Sequence, residues 1–141
     1  MRRDEIVAAA REWLGTPYRH QAATLGAGCD CLGLLRGVWR SLYGEEPMVL
    51  PAYRADWRDR RHADELRAAA ERLLGGARAE LQAGQVVLFR LGRAPLPKHC
   101  GILVAADRFI HAQEGLGVVE ASLGDGWQRR IAARYEFPGV V

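Results

Sequence analysis

The hydrophobic pattern of this chain changes period once, near its midpoint, and that change bounds the fold. Through about residue 74 the apolar residues recur at helical spacing. Ile6, Val7, Ala10, Trp13 and Leu14 share one face of a predicted helix over residues 3 to 14, which Gly15-Thr16-Pro17 ends. A second helix is predicted from Cys31 to about Tyr43. Asp30 is its N-cap, Leu32, Leu35, Val38, Trp39 and Leu42 form its apolar stripe, and Gly44 stops it. A third is expected from about Ala63 to Leu74, ending at Gly75-Gly76. Then the period shortens. Val86 to Phe89 follows a turn at Ala83-Gly84 and reads as a buried strand. Gly101 to Val104 and Arg108 to His111 read as the arms of a hairpin, and Val118 to Ala121 and Arg130 to Phe137 as further strands. Helices first and strands second mean an α+β fold, an antiparallel sheet with helices on one side.

Length and composition narrow the classes further. At 141 residues without repeats or low-complexity tracts, the chain is expected to form one domain, 1–141. A hydrophobic fraction of 49% and a charged fraction of 26% belong to a soluble globular protein. The formal net charge of +3 comes largely from arginines scattered through the helices, which reads as solvated surface. The run Arg58-Asp59-Arg60-Arg61 reads the same way, and residues 45 to 61 read as a packed loop. There is no glycine-rich phosphate loop and no basic stripe interleaved with aromatics, which argues against nucleotide and nucleic-acid partners. No apolar run is long enough to span a membrane, and charges interrupt the N-terminus too early for a secretory signal. The expectation is synthesis in the cytoplasm without a signal peptide. The three cysteines, Cys29, Cys31 and Cys100, do not suit a disulfide framework and are expected to be free thiols.

Three residues carry the chemistry. Cys31 sits at the start of the second helix, where partial positive charge and unpaired N–H groups stabilise both a thiolate and an oxyanion. Alone it reads more readily as a packed thiol than as a nucleophile; a base in reach changes that. His99, at the mouth of the strand Cys100-Gly101-Ile102-Leu103-Val104, is of the right type to be that base. Gly101 is read as leaving space for a substrate or for the helix end. His111 follows at an even separation from His99. If the hairpin turn is the three residues Ala105-Ala106-Asp107, both rings lie on one face as diagonal neighbours, and His111 can fix the tautomer of His99. A turn of two or four residues would put them on opposite faces. Zinc is the rival reading, because Cys29, Cys31, His99, Cys100 and His111 are suitable ligand types. The Cys29-X-Cys31 gap is too short, however, and His99 and Cys100 should alternate to opposite faces. No metal site is therefore expected. His20 and His62 have no evident partner and read as surface residues.

Four short motifs occur in order: Gly15-Thr16-Pro17-Tyr18, Asp30-Cys31-Leu32-Gly33-Leu34, His99-Cys100-Gly101-Ile102 and Phe109-Ile110-His111-Ala112. Together they resemble the NlpC family of papain-like cell-wall peptidases over about residues 10 to 137. Gly28-Cys29-Asp30-Cys31-Leu32-Gly33-Leu34 and Arg134-Tyr135-Glu136-Phe137-Pro138 are similar to the branch encoded by tailed phages and gene transfer agents.

The resemblance implies a papain-like core, with the catalytic cysteine helix packed on the sheet. It implies an endopeptidase acting on peptidoglycan stem peptides, often between D-glutamate and a diamino acid, without metal or organic cofactor. It makes Cys31 the nucleophile, His99 the base, His111 the orienting residue and Tyr18 a residue lining the site. Asp30 then either binds a substrate amine or only caps the helix. The chain departs from many members at Leu32, where they have serine, and at Arg19-His20-Gln21-Ala22, where they have a glycine pair. Delivery to the periplasm or cell wall would fall to a phage-like tail particle, a partner or a lysis system. Two other readings stand beside this one. One is a catalytically idle tail-assembly module, against which the intact Cys31, His99 and His111 count. The other is a thiol amidase or acyltransferase; related acyltransferases place histidine before cysteine, the reverse of the order here.

Overall fold

A computed structural model describes residues 1–46, 65–77, 79–93 and 96–141. Most of the expected loop at 45 to 61, the Arg58–Arg61 run and His62 lie outside the described residues. The elements run α1 (Arg3–Arg11), β1 (Ala23–Thr24), β2 (Gly28–Cys29), α2 (Cys31–Tyr43), α3 (Glu65–Leu73), β3 (Gly75–Gly76), β4 (Val86–Arg90), β5 (Pro97–Ala105), β6 (Arg108–Gln113), β7 (Gly117–Ser122), α4 (Asp125–Gln128) and β8 (Ile131–Glu136). Six strands form one antiparallel sheet in the order β3-β8-β4-β5-β6-β7, and β1 and β2 make a separate small ribbon. The fold is α+β, as the change of period requires.

Strand alternation divides the core in two. Val86 and Leu88 of β4, Ile102 of β5 and Ile110 of β6 face the helices, where they meet Ile6 and Ala10 of α1, Leu34, Leu35 and Val38 of α2 and Leu66 of α3. Val87, Phe89, Leu103 and Phe109 face the other way and form a smaller cluster with Leu123 and Trp127. The expectation that all helices lie on one side needs correcting here. Trp127 of α4 packs against the far face, and this four-residue turn of helix was too short to carry a periodic signal.

The ends of the elements follow local chemistry. In α2 the Asp30 carboxylate accepts the Gly33 N–H at 2.7 Å, and Gly44, at φ +90°, closes the helix with its N–H on the Arg40 carbonyl. α1 stops at Arg11, three residues before the periodicity ends. Trp13 and Leu14 continue as tight turns, with their N–H groups on Ala10 and Arg11 carbonyls. The chain must then reverse at Gly15, whose φ is +86° and whose N–H bonds Val118 of β7. Trp13 still reaches the core, because Gly37 of α2 leaves room for its ring; a Cβ there would lie 2.0 Å from it.

Candidate active site

α2 carries Cys31 at its first position and packs against β5 and β6, which carry the histidines. Three contacts fix that helix start. Gly33 has the Ala22 carbonyl where a side chain would be, 1.8 Å from an ideal Cβ, so the loop after Tyr18 lies directly on the helix. Asp30 is 1% exposed; one of its oxygens caps Gly33 and the other accepts the Gln21 N–H at 2.7 Å. Gln21 needs that bond, since its φ of 61° is one that side chains disfavour. Asp30 thus spends both carboxylate oxygens on the backbone. His20 is not partnerless either: its Nδ1 lies 3.8 Å from the same carboxylate.

The hairpin delivers the two histidines by a different route from the one the sequence suggested. Its turn has two residues, Ala106 and Asp107, which alone would put the rings on opposite faces. An irregularity between Leu103 and Ala105 adds one residue to β5 and restores the parity. Ile102 then faces Ile110 and Leu103 faces Phe109. His99 Nε2 and His111 Nδ1 are 2.7 Å apart, one strong ring-to-ring hydrogen bond. Gly101 lies between His99 and Leu103 on the same face. The space it leaves is filled by its own hairpin, with the Phe109 ring 2.8 Å, the Ile110 carbonyl oxygen 3.0 Å and the His111 Cβ 3.4 Å from an ideal Cβ. It is neither a substrate gap nor room for the helix end. The missing side chain allows the two strands to bring their rings together.

The electrostatics assign roles within this group. Burial, and then the nearby charge of His99, push the His111 ring down to about 3, so it is neutral at physiological pH. A neutral His111 can accept the Nε2–H of His99 on Nδ1. His99 Nδ1 is then the nitrogen left for Cys31, and the His99 ring lies close enough to that thiol to lower its pKa. The Cys100 thiol does the same and is the larger contributor, while burial opposes both. Cys100 itself is pushed well above the ordinary thiol range by the neighbouring Cys31 sulfur and by burial. Of the two sulfurs, Cys31 is the one that gives up its proton first. Strand alternation holds here: Cys100 joins Ile102 in the helix-side core, while the His99 ring packs with Phe89 and Trp127 on the far face, and both lie near Cys31 at the start of α2.

Tyr18 completes the surround. It bridges to Cys29 of β2, which places it beside the helix start, and its hydroxyl is pushed up first by burial and then by Cys31 and Asp30. The hydroxyl stays protonated and can donate. Cys29 is fully buried and raised to about 12, first by burial and then by Asp30, which makes it inert. All three cysteines are free thiols. Among the described residues no three His, Cys, Asp or Glu side chains converge as a metal site.

Two neighbours of the site escaped the sequence reading. Cys100 was set aside on alternation. Trp127 gave no signal at all, yet its ring centroid lies 5.4 Å from that of His111 and 6.0 Å from that of His99, closing the far side of the pair. Arg130 stacks on the Trp127 ring at 5.5 Å.

The arrangement of a helix-start thiolate, an imidazole and a second imidazole is built for acyl transfer through a thioester. The profile of the NlpC/P60 family matches residues 15–135. A Haemophilus influenzae protein named a probable endopeptidase is 30% identical over 118 residues, covering 81% of this chain and 61% of its own length. The Escherichia coli K12 protein named murein DD-endopeptidase MepS/murein LD-carboxypeptidase is 28% identical over 129 residues, covering 91% of this chain and 59% of its own length. The chain thus spans about 60% of the length of these curated relatives. Among solved structures, the NlpC/p60 domain of the peptidoglycan hydrolase SagA superposes with a TM-score of 0.63 at 21% identity, over 96% of this chain and 98% of that one. That likeness makes the fold papain-like, as the motifs implied. With the family profile covering most of its length, the chain belongs to the NlpC/P60 family, a family of cysteine peptidases.

Proposed function

We propose that this chain is an endopeptidase that cuts the stem peptides of peptidoglycan by thiol catalysis. The observation that carries the reading is the convergence of His99 and the Cys31 thiol at the start of α2, with His111 2.7 Å behind His99. The Cys31 thiolate attacks a stem carbonyl, and the Cys31 N–H at the open end of the helix and the Tyr18 hydroxyl steady the oxyanion. His99 Nδ1 protonates the leaving amine, a thioester remains, and water activated by His99 releases it. His111 keeps His99 in the tautomer and orientation that both steps need. The murein DD-endopeptidase name of the Escherichia coli relative supports the substrate class. The Gly28–Leu34 and Arg134–Pro138 stretches support a phage-tail or gene-transfer-agent setting, with a tail particle as carrier.

The test uses soluble disaccharide-tetrapeptide fragments of peptidoglycan. Mass spectrometry should find fragments cut within the stem, and prior alkylation with iodoacetamide, located at Cys31 by peptide mapping, should abolish them. Release of a whole stem from sugar would instead make the protein an amidase.

A further inference from the structure

The proposed chemistry uses one thiol, but the structure holds a second against it. Cys100 is 1% exposed, and its Sγ–H donates to the main-chain oxygen of Cys31 itself at 3.2 Å. The Cys100 thiol also lies close enough to the Cys31 sulfur to lower its pKa. The peptidase reaction gives Cys100 no step. Its β5 neighbours in the helix-side core, Ile102 and Val104, are aliphatic.

We infer that Cys31 and Cys100 form a reversible oxidation site, in which a hydroperoxide converts the nucleophile and its neighbour into a disulfide that switches the enzyme off and shields Cys31 from further oxidation. The Cys31 thiolate attacks one oxygen of hydrogen peroxide. The O–O bond breaks, sulfur becomes a sulfenic acid, and the hydroxide leaves as water with the proton from His99. His99, now neutral, takes the Cys100 proton. The Cys100 sulfur attacks the Cys31 sulfur, and the sulfenic hydroxyl leaves as a second water with that proton. Two thiols and one peroxide give one disulfide and two waters, with two electrons passing from sulfur to oxygen. Cys31, at the first position of α2, meets the oxidant, and the Cys100 sulfur already lies 3.2 Å from the Cys31 main-chain oxygen. Closing to an S–S bond of about 2.05 Å requires rotation of the two side chains towards each other. A dithiol reductant reverses the step by exchange.

This inference rests on the placement of the thiols and not on the substrate, so its readout needs no cell wall. The full chain is treated with a small excess of hydrogen peroxide, quenched with iodoacetamide, digested without reductant and mapped by mass spectrometry. The expected product is a Cys31–Cys100 cross-linked peptide pair, two hydrogens lighter than the separate peptides, with Cys29 alkylated; dithiothreitol should restore both free thiols. In Cys100→Ser the expected product is Cys31 sulfenic acid trapped by dimedone, passing to sulfinic acid that dithiothreitol does not reverse. A wild-type protein that goes directly to Cys31 sulfinic acid while Cys100 stays reduced would overturn the inference. So would a disulfide that joins Cys29. Because the wild-type map decides by itself, poor folding of Cys100→Ser would not spare the inference.

Discussion

The two faces of the sheet are built to different standards. The helix face is broad, with three helices covering it and side chains such as Ile6, Ala10, Val38 and Val86 wholly buried. The far face is a small aromatic cluster in which Phe89, Phe109 and Trp127 surround His99 and His111. Its cover includes one half-buried tryptophan on a four-residue helix. The broader core lies on one face, and His99 and His111 stand on the other. Cys31 comes from the helix side and meets the histidines where α2 starts. The contrast separates what holds the fold from what tunes the chemistry, and it can be tested by substitution.

The largest expected effect is at the junction of helix and loop. Gly33→Ala drives a methyl group into the Ala22 carbonyl, which backbone atoms cannot yield cheaply. A loss of about 3 kcal/mol or more is expected in urea unfolding. Next comes a pair that opposes the two faces. Ile6→Ala, in the helix-side core, should cost about 3 kcal/mol while leaving turnover per folded molecule unchanged. Trp127→Ala should cost less, about 2 kcal/mol, but should lower turnover per folded molecule about tenfold or more by opening the His99–His111 bond to water. Equal turnover in the two variants would erase the distinction between the faces.

A smaller effect sharpens the account of the far face. His111 stays neutral down to about 3 when folded, whereas an ordinary histidine takes its proton near 6.5. Between those values the unfolded chain binds more protons than the folded one, so His111 makes stability fall as pH drops through that window. Above about 6.5 its contribution is flat. The slope reaches at most about 1.4 kcal/mol per pH unit. His111→Asn keeps an acceptor for His99 but removes the titration. Its stability curve measured from pH 7 to 4 should be flatter than that of the wild type by up to that slope.

Much of this was legible in the residues, for reasons that differ from place to place. α2 could be bounded from the chain alone because an Asp30 cap and a Gly44 stop are local chemistry, and the structure keeps both. β4 to β6 were legible because buried strands carry a continuous apolar pattern, and the mostly half-buried β7 and β8 through shorter apolar stretches. The juxtaposition of His99 and His111 was foreseen through the wrong turn. A two-residue turn and an added residue in β5 have the same parity as the three-residue turn, and composition does not distinguish them. Other features depend on tertiary structure and leave no local trace. β1, β2 and β3 are two residues each, too short for any periodicity. Trp127 lies in a helix of one turn. Cys100 reaches Cys31 because the helix-side face of β5 packs against the start of α2, a tertiary contact with no local trace. Gly101 was read as open space because its occupants, Phe109 and His111, come from the adjacent strand.

The central claim is that the Cys31 thiolate, activated by His99, cuts peptidoglycan stems. Its most direct test is digestion of purified peptidoglycan sacculi by the wild type and by Cys31→Ala, with mass spectrometry of the soluble products and circular dichroism to verify both folds. The account predicts stem-cleaved muropeptides from the wild type and none from Cys31→Ala at equal helix content. Stem cleavage that survives in the correctly folded Cys31→Ala protein would contradict it.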